Sequence, residues 1–382
     1  MLSAGEVFYV SFVGKGIRDN KDLPPSVVVG EWLHYLKAVF GEDYSIRHAL
    51  QPFSRRYYQG GRLQSFSTLW HEALSAKEPA PAFMENPLAP DESMTCTGIA
   101  QLSKFLRHPG KYFLQQRLGA YLDVNEVELK DTESFELDPL ERFQLADDAL
   151  GILMNGHDLE QFKRQVSLSG GILPGNIGQQ QLTRELTRAQ AIQARAADYL
   201  KAPRAFIKTN IEIAGSLLSV ELDNLYGDNI VNYRAGKLGA GQLLDTWVQH
   251  LAANIAKPNT STIFIFRGDT DEAKVSRLPP VNPPTAEAIL CNLLDLYDEG
   301  VASPLLLPPE ACKAFTKSQR DGLSVDSSIL KARQGWERNQ PGAEGKDRYW
   351  ARLFQLPEAF HDRFINDAVS VWQPILEVQV DE

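Results

Sequence analysis

Residues Gly227–Lys237 read GDNIVNYRAGK, and their place among their neighbours decides the fold. Gly227-Asp228-Asn229 is a tight-turn triplet, and Ile230–Arg234 behind it reads as a short strand. Upstream, Ala205–Ala214 and Leu217–Tyr226 read as two further strands joined by the turn pair Gly215-Ser216. Turns this short connect antiparallel strands. A long helix from about Ile177 to Leu200 precedes them, a helix over Gln242–Ile255 follows, and Thr262–Arg267 is an apolar strand. The predicted order is helix, three antiparallel strands, helix, strand.

That order resembles the core of the PD-(D/E)xK nucleases. The resemblance implies one acid on the second strand and an acid-spacer-lysine triplet on the third. Two carboxylates hold Mg²⁺, which polarises the phosphate and lowers the pKa of a bound water. The lysine helps to orient that water. Asp223, in VELDNLYG, keeps the first acid, but Asn232 stands at the second and Arg234 at the lysine. Asn232→Asp and Arg234→Lys would turn the segment into IVDYKAG. An amide oxygen brings no negative charge to a hard cation. A guanidinium keeps its proton and grips a phosphate as a fork instead of positioning water. The expectation is a nuclease site that no longer cuts and takes no metal or cofactor. A plainer alternative has Asp223 capping a turn or pairing with Arg234. A catalytic alternative uses a relocated acid: Glu221, on the same strand face as Asp223, Asp228 in the turn, or Asp245.

Elsewhere the chain is helical with interruptions. VFYVSFV at 7–13 reads as a buried strand, and Ser26 as the cap of a helix with Val29, Trp32, Leu33 and Leu36 on one face, closed by Gly41. The Pro- and Ala-rich stretch 76–95 reads as a linker, dividing the chain into 1–75 and 96–382. Helices are predicted over Thr97–Arg107 and, from the Asp138-Pro139 start, to about Met154. SLSGGILPGN reads as a loop, and beyond 284 helices alternate with breaks at Pro304, Pro308 and Pro309, ending in one near 358–372. The fold class is mixed α/β.

Composition is that of an ordinary globular chain, 43% hydrophobic and 23% charged. No apolar run reaches the roughly 18–20 residues of a membrane span, and MLSAGEVFYV lacks the basic start and apolar run of a signal peptide. Three scattered cysteines suit neither a disulfide framework nor a Cys₄ site, so a reducing cytoplasm is expected. There is no phosphate-cradling GxxxxGK[ST], and the seven histidines form no metal-spaced pair. His108 reads as a helix-end residue, and Trp247 and His250 as core and rim.

The net charge of −10 weighs against a dedicated nucleic-acid binder, but the charge is uneven. Residues 161–210 carry Lys163, Arg164, Arg184, Arg188, Arg195, Lys201, Arg204 and Lys208 against only Glu185 and Asp198. A second patch, Lys104, Arg107, Lys111 and Arg117, has no acid between 101 and 120. Both also fit solvated helix faces.

Five blocks together resemble the RecC family, the gamma subunits of exodeoxyribonuclease V, in its C-terminal third. They are FYVSFVGKGIRDN with PPSVVV, GIAQLSKFLRHPGKYFLQQRLG, ELDPLERFQL, LDNLYGDNIVNYRAGKLGAGQLLDTWVQHL and GKDRYWARLF. Gamma subunits are far longer, so the resemblance implies a fragment. It further implies that 1–75 is the tail of an inactive superfamily 1 helicase-like domain and 96–382 an inactive nuclease-like domain. LSAGEVFYVS has no Lys or Arg before Lys15, where related active helicases carry an ATP-contacting arginine. The family handles DNA in double-strand-break repair by homologous recombination, in complex with a beta subunit that carries the nuclease and an alpha subunit. Its C-terminal domain is associated with alpha-subunit contact and strand splitting.

The expectation is therefore a non-catalytic DNA-handling and scaffold domain whose phosphate contacts come from the eight cations of 161–210 and Arg234. The rivals are an active Mg²⁺-dependent exonuclease using Asp223 with Glu221 or Asp228, and a protein scaffold that touches no DNA.

Overall fold

Alternation of apolar and polar residues builds the sheet at the centre of the chain. The computed structural model describes all residues except 1–4, 6, 17–20, 43, 76–82, 123–136, 338–342, 355–359, 361 and 382. The chain divides into two units, Met1–Pro81 and Ala82–Glu382.

The first unit holds α1 (Val27–Phe40) and α2 (Thr68–Ser75). Gly41 closes α1 at φ +75°, as expected, but Ser26 makes no side-chain cap bond. Val29, Trp32, Leu33 and Leu36 form the less exposed side of α1, and Phe8 meets Trp32 edge-on at 4.9 Å. The strand expected over 7–13 does not form: these residues are irregular and exposed. A strand needs a neighbour for its backbone groups, and among the described residues this one has none.

The second unit begins differently from the linker expected over 76–95. Residues 76–82 lie outside the described residues, whereas Phe83, Met84 and Leu88 pack on a cluster of Phe113, Leu114, Tyr349 and Leu353. The Leu88 N–H donates to the Ala302 carbonyl at 2.8 Å. There follow α3 (Ile99–Arg107), α4 (Pro109–Tyr112), α5 (Pro139–Met154), α6 (Leu159–Leu168) and α7 (Asn176–Ala197). At the start of α5 the Asp138 carboxylate accepts the N–H groups of Leu140 and Glu141, and Glu141 returns to the Asp138 N–H. This reciprocal cap sets the helix start, with Pro139 in the first turn.

Strands β1 (Arg204–Ile213), β2 (Ser216–Tyr226) and β3 (Asn229–Tyr233) pair antiparallel in sequence, as predicted. Gly227 takes φ +62° in the turn between β2 and β3, a conformation that favours glycine. Helix α8 (Ala240–Ala256) then crosses over to β4 (Ser261–Arg267), which pairs parallel with β3. Two further strands, β5 (Ala273–Leu278) and β6 (Val380–Asp381), complete a six-stranded sheet in the order β1 to β6. Between them lie α9 (Pro283–Ala302), α10 (Pro309–Arg320), α11 (Val325–Trp336), α12 (Arg348–Leu353) and α13 (Asp362–Val378). The last helix starts later than the predicted 358–372 and runs through Pro374.

Helices cover both sides of the central strands. On one side α3, α8 and α9 bury Leu102, Phe105, Leu244, Trp247 and Leu290 with Val220 and Ile230 of the sheet. On the other, α5 and α7 bury Leu150, Leu182 and Ile192 against Val231, Ile263 and Val275. Neighbouring residues Ile230 and Val231 thus enter opposite cores, as strand geometry requires.

Candidate nucleic-acid interface

The site expected at Asp223, Asn232 and Arg234 lies where β2 meets β3. Along β2 the buried residues run Leu218, Val220, Leu222 and then Leu225. The spacing of two becomes three because the pairing slips there: Ala205 faces Leu225, but Ile207 faces Leu222. One residue of β1 opposes two of β2, a β-bulge at Asp223-Asn224. Asn224 is thereby turned toward β3, and its amide donates to the Asn232 Oδ1 at 2.6 Å.

Asp223 goes elsewhere. Its carboxylate is exposed and pairs with Arg204 at 2.7 Å. Burial first, then Tyr226 and Asp223, raise the pKa of the Tyr233 phenol, while the charge of Arg204 opposes them. Tyr233 and Asn232 are neighbours on one strand, so their side chains leave opposite faces. The Asp223 carboxylate is thus taken up by Arg204, and the side chain that reaches Asn232 is Asn224. The two side chains that meet across the strands are both neutral amides. The pairing of Asp223 with Arg234 weighed from the sequence is replaced by one with Arg204.

The candidate relocated acids are dispersed. Glu221 pairs with Lys208 and Asp228 with Lys257, each at 2.8 Å. Asp245 shares a cleft of about 240 Å³ with Glu221, Lys104 and Arg107. Among the described residues, no three His, Cys, Asp or Glu side chains form a cluster able to hold a metal.

Arg234 is half-buried, with its guanidinium carbon 5.0 Å from the Phe143 ring centre on α5. Burial lowers its pKa, Asp147 opposes that effect, and the positive charge of Arg107 adds to it. Asp147 is itself engaged, accepting the Ala235 N–H at 3.1 Å. A Cβ on Gly236 would stand 2.9 Å from Phe143 and 3.2 Å from the Arg234 Nε, so glycine leaves room for the stacked pair.

The cations of 161–210, expected to contact phosphate, stand mostly in ion pairs. Lys163 pairs with Glu160, Lys201 with Asp198, Arg204 with Asp223 and Lys208 with Glu221. Arg184 and the buried Arg188 converge on Asp271, and Arg188 also binds Glu185. Arg164 reaches the Glu160 carbonyl, and the charge of Arg195 acts on Asp198. Most of these acids lie outside the 161–210 window, so a count along the chain misses them. From the second patch, Arg117 pairs with Asp91 and Lys111 lies over the Tyr349 ring at 5.0 Å. Lys104, Arg107 and Arg234 have no carboxylate within 4.0 Å among the described residues. Asn224 and Arg107 were absent from the predicted site. The apolar spacing in LDNL was the available signal for the first.

His250 and His108 serve the fold. His250 is fully buried, not at a rim, and its Nδ1 lies 2.9 Å from the Thr262 hydroxyl. His108 ends α3, accepts the Lys111 N–H and stacks on Trp350 at 4.6 Å.

Residues 96–320 match the family model described as the RecC C-terminal domain. The RecBCD enzyme subunit RecC of Escherichia coli K12 is 27% identical, over 93% of this chain and 34% of its own length. The subunits of the same name from Haemophilus influenzae and Mycolicibacterium smegmatis are each 23% identical, covering 94% and 84% of the chain. The chain spans about a third of the length of these relatives, 34%, 32% and 31% respectively. No helix among the described residues is long and apolar enough to cross a membrane.

Proposed function

The chain belongs to the RecC family through its C-terminal domain, and from that premise we propose that it is a non-catalytic, DNA-handling part of a RecBCD-type helicase–nuclease complex. In this reading the second unit is a nuclease-like core that has lost its chemistry, and the first is the tail of an inactive helicase-like domain. Its partners are DNA and the beta and alpha subunits, with roles in guiding and splitting strands during recombinational repair.

The observation that carries the reading is the Asn224–Asn232 amide pair, at the strand junction where a metal-dependent nuclease needs two carboxylates. Two neutral amides offer a divalent cation no compensating charge. The cations beside that junction, Lys104, Arg107 and Arg234, suit the holding of phosphates instead. Binding through such contacts weakens steeply with salt.

The test is incubation of the full chain with end-labelled forked DNA, with Mg²⁺ and with Mn²⁺. A shift that fades as salt rises, with the DNA left intact, is expected. Cleavage that disappears in Asp223→Ala, Glu221→Ala or Asp228→Ala overturns the non-catalytic reading. Absence of any shift at low salt supports the rival protein scaffold.

A further inference from the structure

We propose that the chain pairs with a second copy of itself along the outer edge of β1, joining two six-stranded sheets through an antiparallel contact centred on Asn210. The inference stands apart from the DNA-handling reading. β1 is the first strand of the sheet, and among the described residues only β2 pairs with it. Past the slip between Ala205 and Ile207, that pairing is regular from Ile207 to Ile213. Asn210 is the midpoint of the regular stretch.

The direction of the backbone groups marks this edge as open. On β2 the Ser219 N–H donates to the Thr97 carbonyl at 2.9 Å, away from β1. Ser219 faces Asn210, so theirs is a non-hydrogen-bonded pair, and the Asn210 N–H and C=O point outward from the sheet. Alternation gives Lys208 and Glu212, opposite Glu221 and Leu217, the same outward direction. Among the described residues no backbone group bonds to this outer edge, and the Asn210 carbonyl accepts only the Thr209 hydroxyl, at 3.4 Å. A row of unpaired N–H and C=O groups is a template for another strand.

Laid antiparallel about Asn210, the edge matches itself. Lys208 falls opposite Glu212 of the other copy, and the symmetry repeats the pair. Each such pair exchanges both N–H···O bonds, as does Asn210 with its counterpart. Glu212 is exposed and has no cation within 4.0 Å among the described residues, so its charge is open to a lysine from outside. The Lys208 side chain, though paired with Glu221, stays 81% exposed and has room for a second carboxylate. On the opposite, helix-covered face, half-buried Ile207 falls opposite Ile213 and exposed Thr209 opposite Ile211. Each incompletely covered residue thus meets an isoleucine that is already buried in the other copy. Centring the contact on Lys208 would set two lysines together, so charge selects the register. A two-fold contact needs one patch that complements itself, and this edge supplies it.

The test is sedimentation of the full chain over a range of concentrations, with thermal melting of each variant as a control for folding. A mass that doubles as concentration rises is expected. Lys208→Glu and Glu212→Lys each set like charges opposite one another in both pairs, and each should weaken self-association about tenfold. Mixed together, the two variants are complementary at both pairs and should associate as tightly as the wild-type chain. Asn210→Pro removes an outward N–H that β2 does not use, so the fold should survive while the dimer is lost. Where that variant melts early, the charge mixture decides alone. A wild-type chain that stays monomeric overturns the proposal, as does a dimer that a well-folded Asn210→Pro leaves intact. Charge variants that stay apart when mixed overturn the pairing centred on Asn210.

Discussion

Two apolar runs of similar composition meet opposite fates in the two units. VFYVSFV at 7–13 is exposed throughout, with Val7 81% and Tyr9 77% accessible. The β4 run TIFIFR, 262–267, is buried through Ile265, with Ile263 and Ile265 fully enclosed. The second has strands on both sides, β3 and β5, and helices on both faces. The first has no neighbouring strand among the described residues. No described residue before Cys96 is buried, while three apolar clusters fill the unit after it. Apolar sequence fixes what a segment can bury; its neighbours decide whether it does.

The difference predicts that stability resides in the second unit. Trp247→Ala, which empties a site fully enclosed between α8 and the sheet, should cost about 3–5 kcal/mol in urea unfolding. A loss below about 1 kcal/mol would break the contrast between the units.

Acid should act next most strongly. Burial holds the His250 imidazole at about 4, below its ordinary 6.5. As pH falls, the unfolded chain takes up that proton before the folded one. The stability contributed is whole above about pH 6.5 and is lost as pH falls toward 4, on the order of 3 kcal/mol in all. Unfolding midpoints measured across this range check the slope, and His250→Gln should flatten it.

A smaller, local loss of about 1 kcal/mol is expected for Asp138→Ala, read as faster amide exchange at Leu140 and Glu141. The smallest effect belongs to the first unit, where Val7→Ser should change stability by less than about 0.5 kcal/mol. A loss near 2 kcal/mol there would show that the 7–13 run is covered in solution.

Much of the second unit was legible because its strands alternate cleanly and are separated by glycine turns. β1 to β4, α7 and α8 fall within a few residues of their predicted spans. β5 was missed because Lys274 and Arg277 break the apolar signal of AKVSRL, although Val275 and Leu278 are buried. α6 was missed because it is largely polar and buries no residue fully. Partnership across the fold was least legible. Arg188 looks like a surface cation in the sequence, yet it is buried against Glu185 and against Asp271 from the β4–β5 turn.

The bulge at Asp223-Asn224 also bears on how this surface can change over time. Writing Asn232→Asp and Arg234→Lys into the chain would spell out an acid, a spacer and a lysine. The new aspartate would face Asn224, while Asp223 stayed paired with Arg204. Recovering a pair of carboxylates needs a third change, an acid at 224 or removal of one residue from β2. A one-residue slip in strand pairing works here as a ratchet that separates the surface from the chemistry its sequence still resembles.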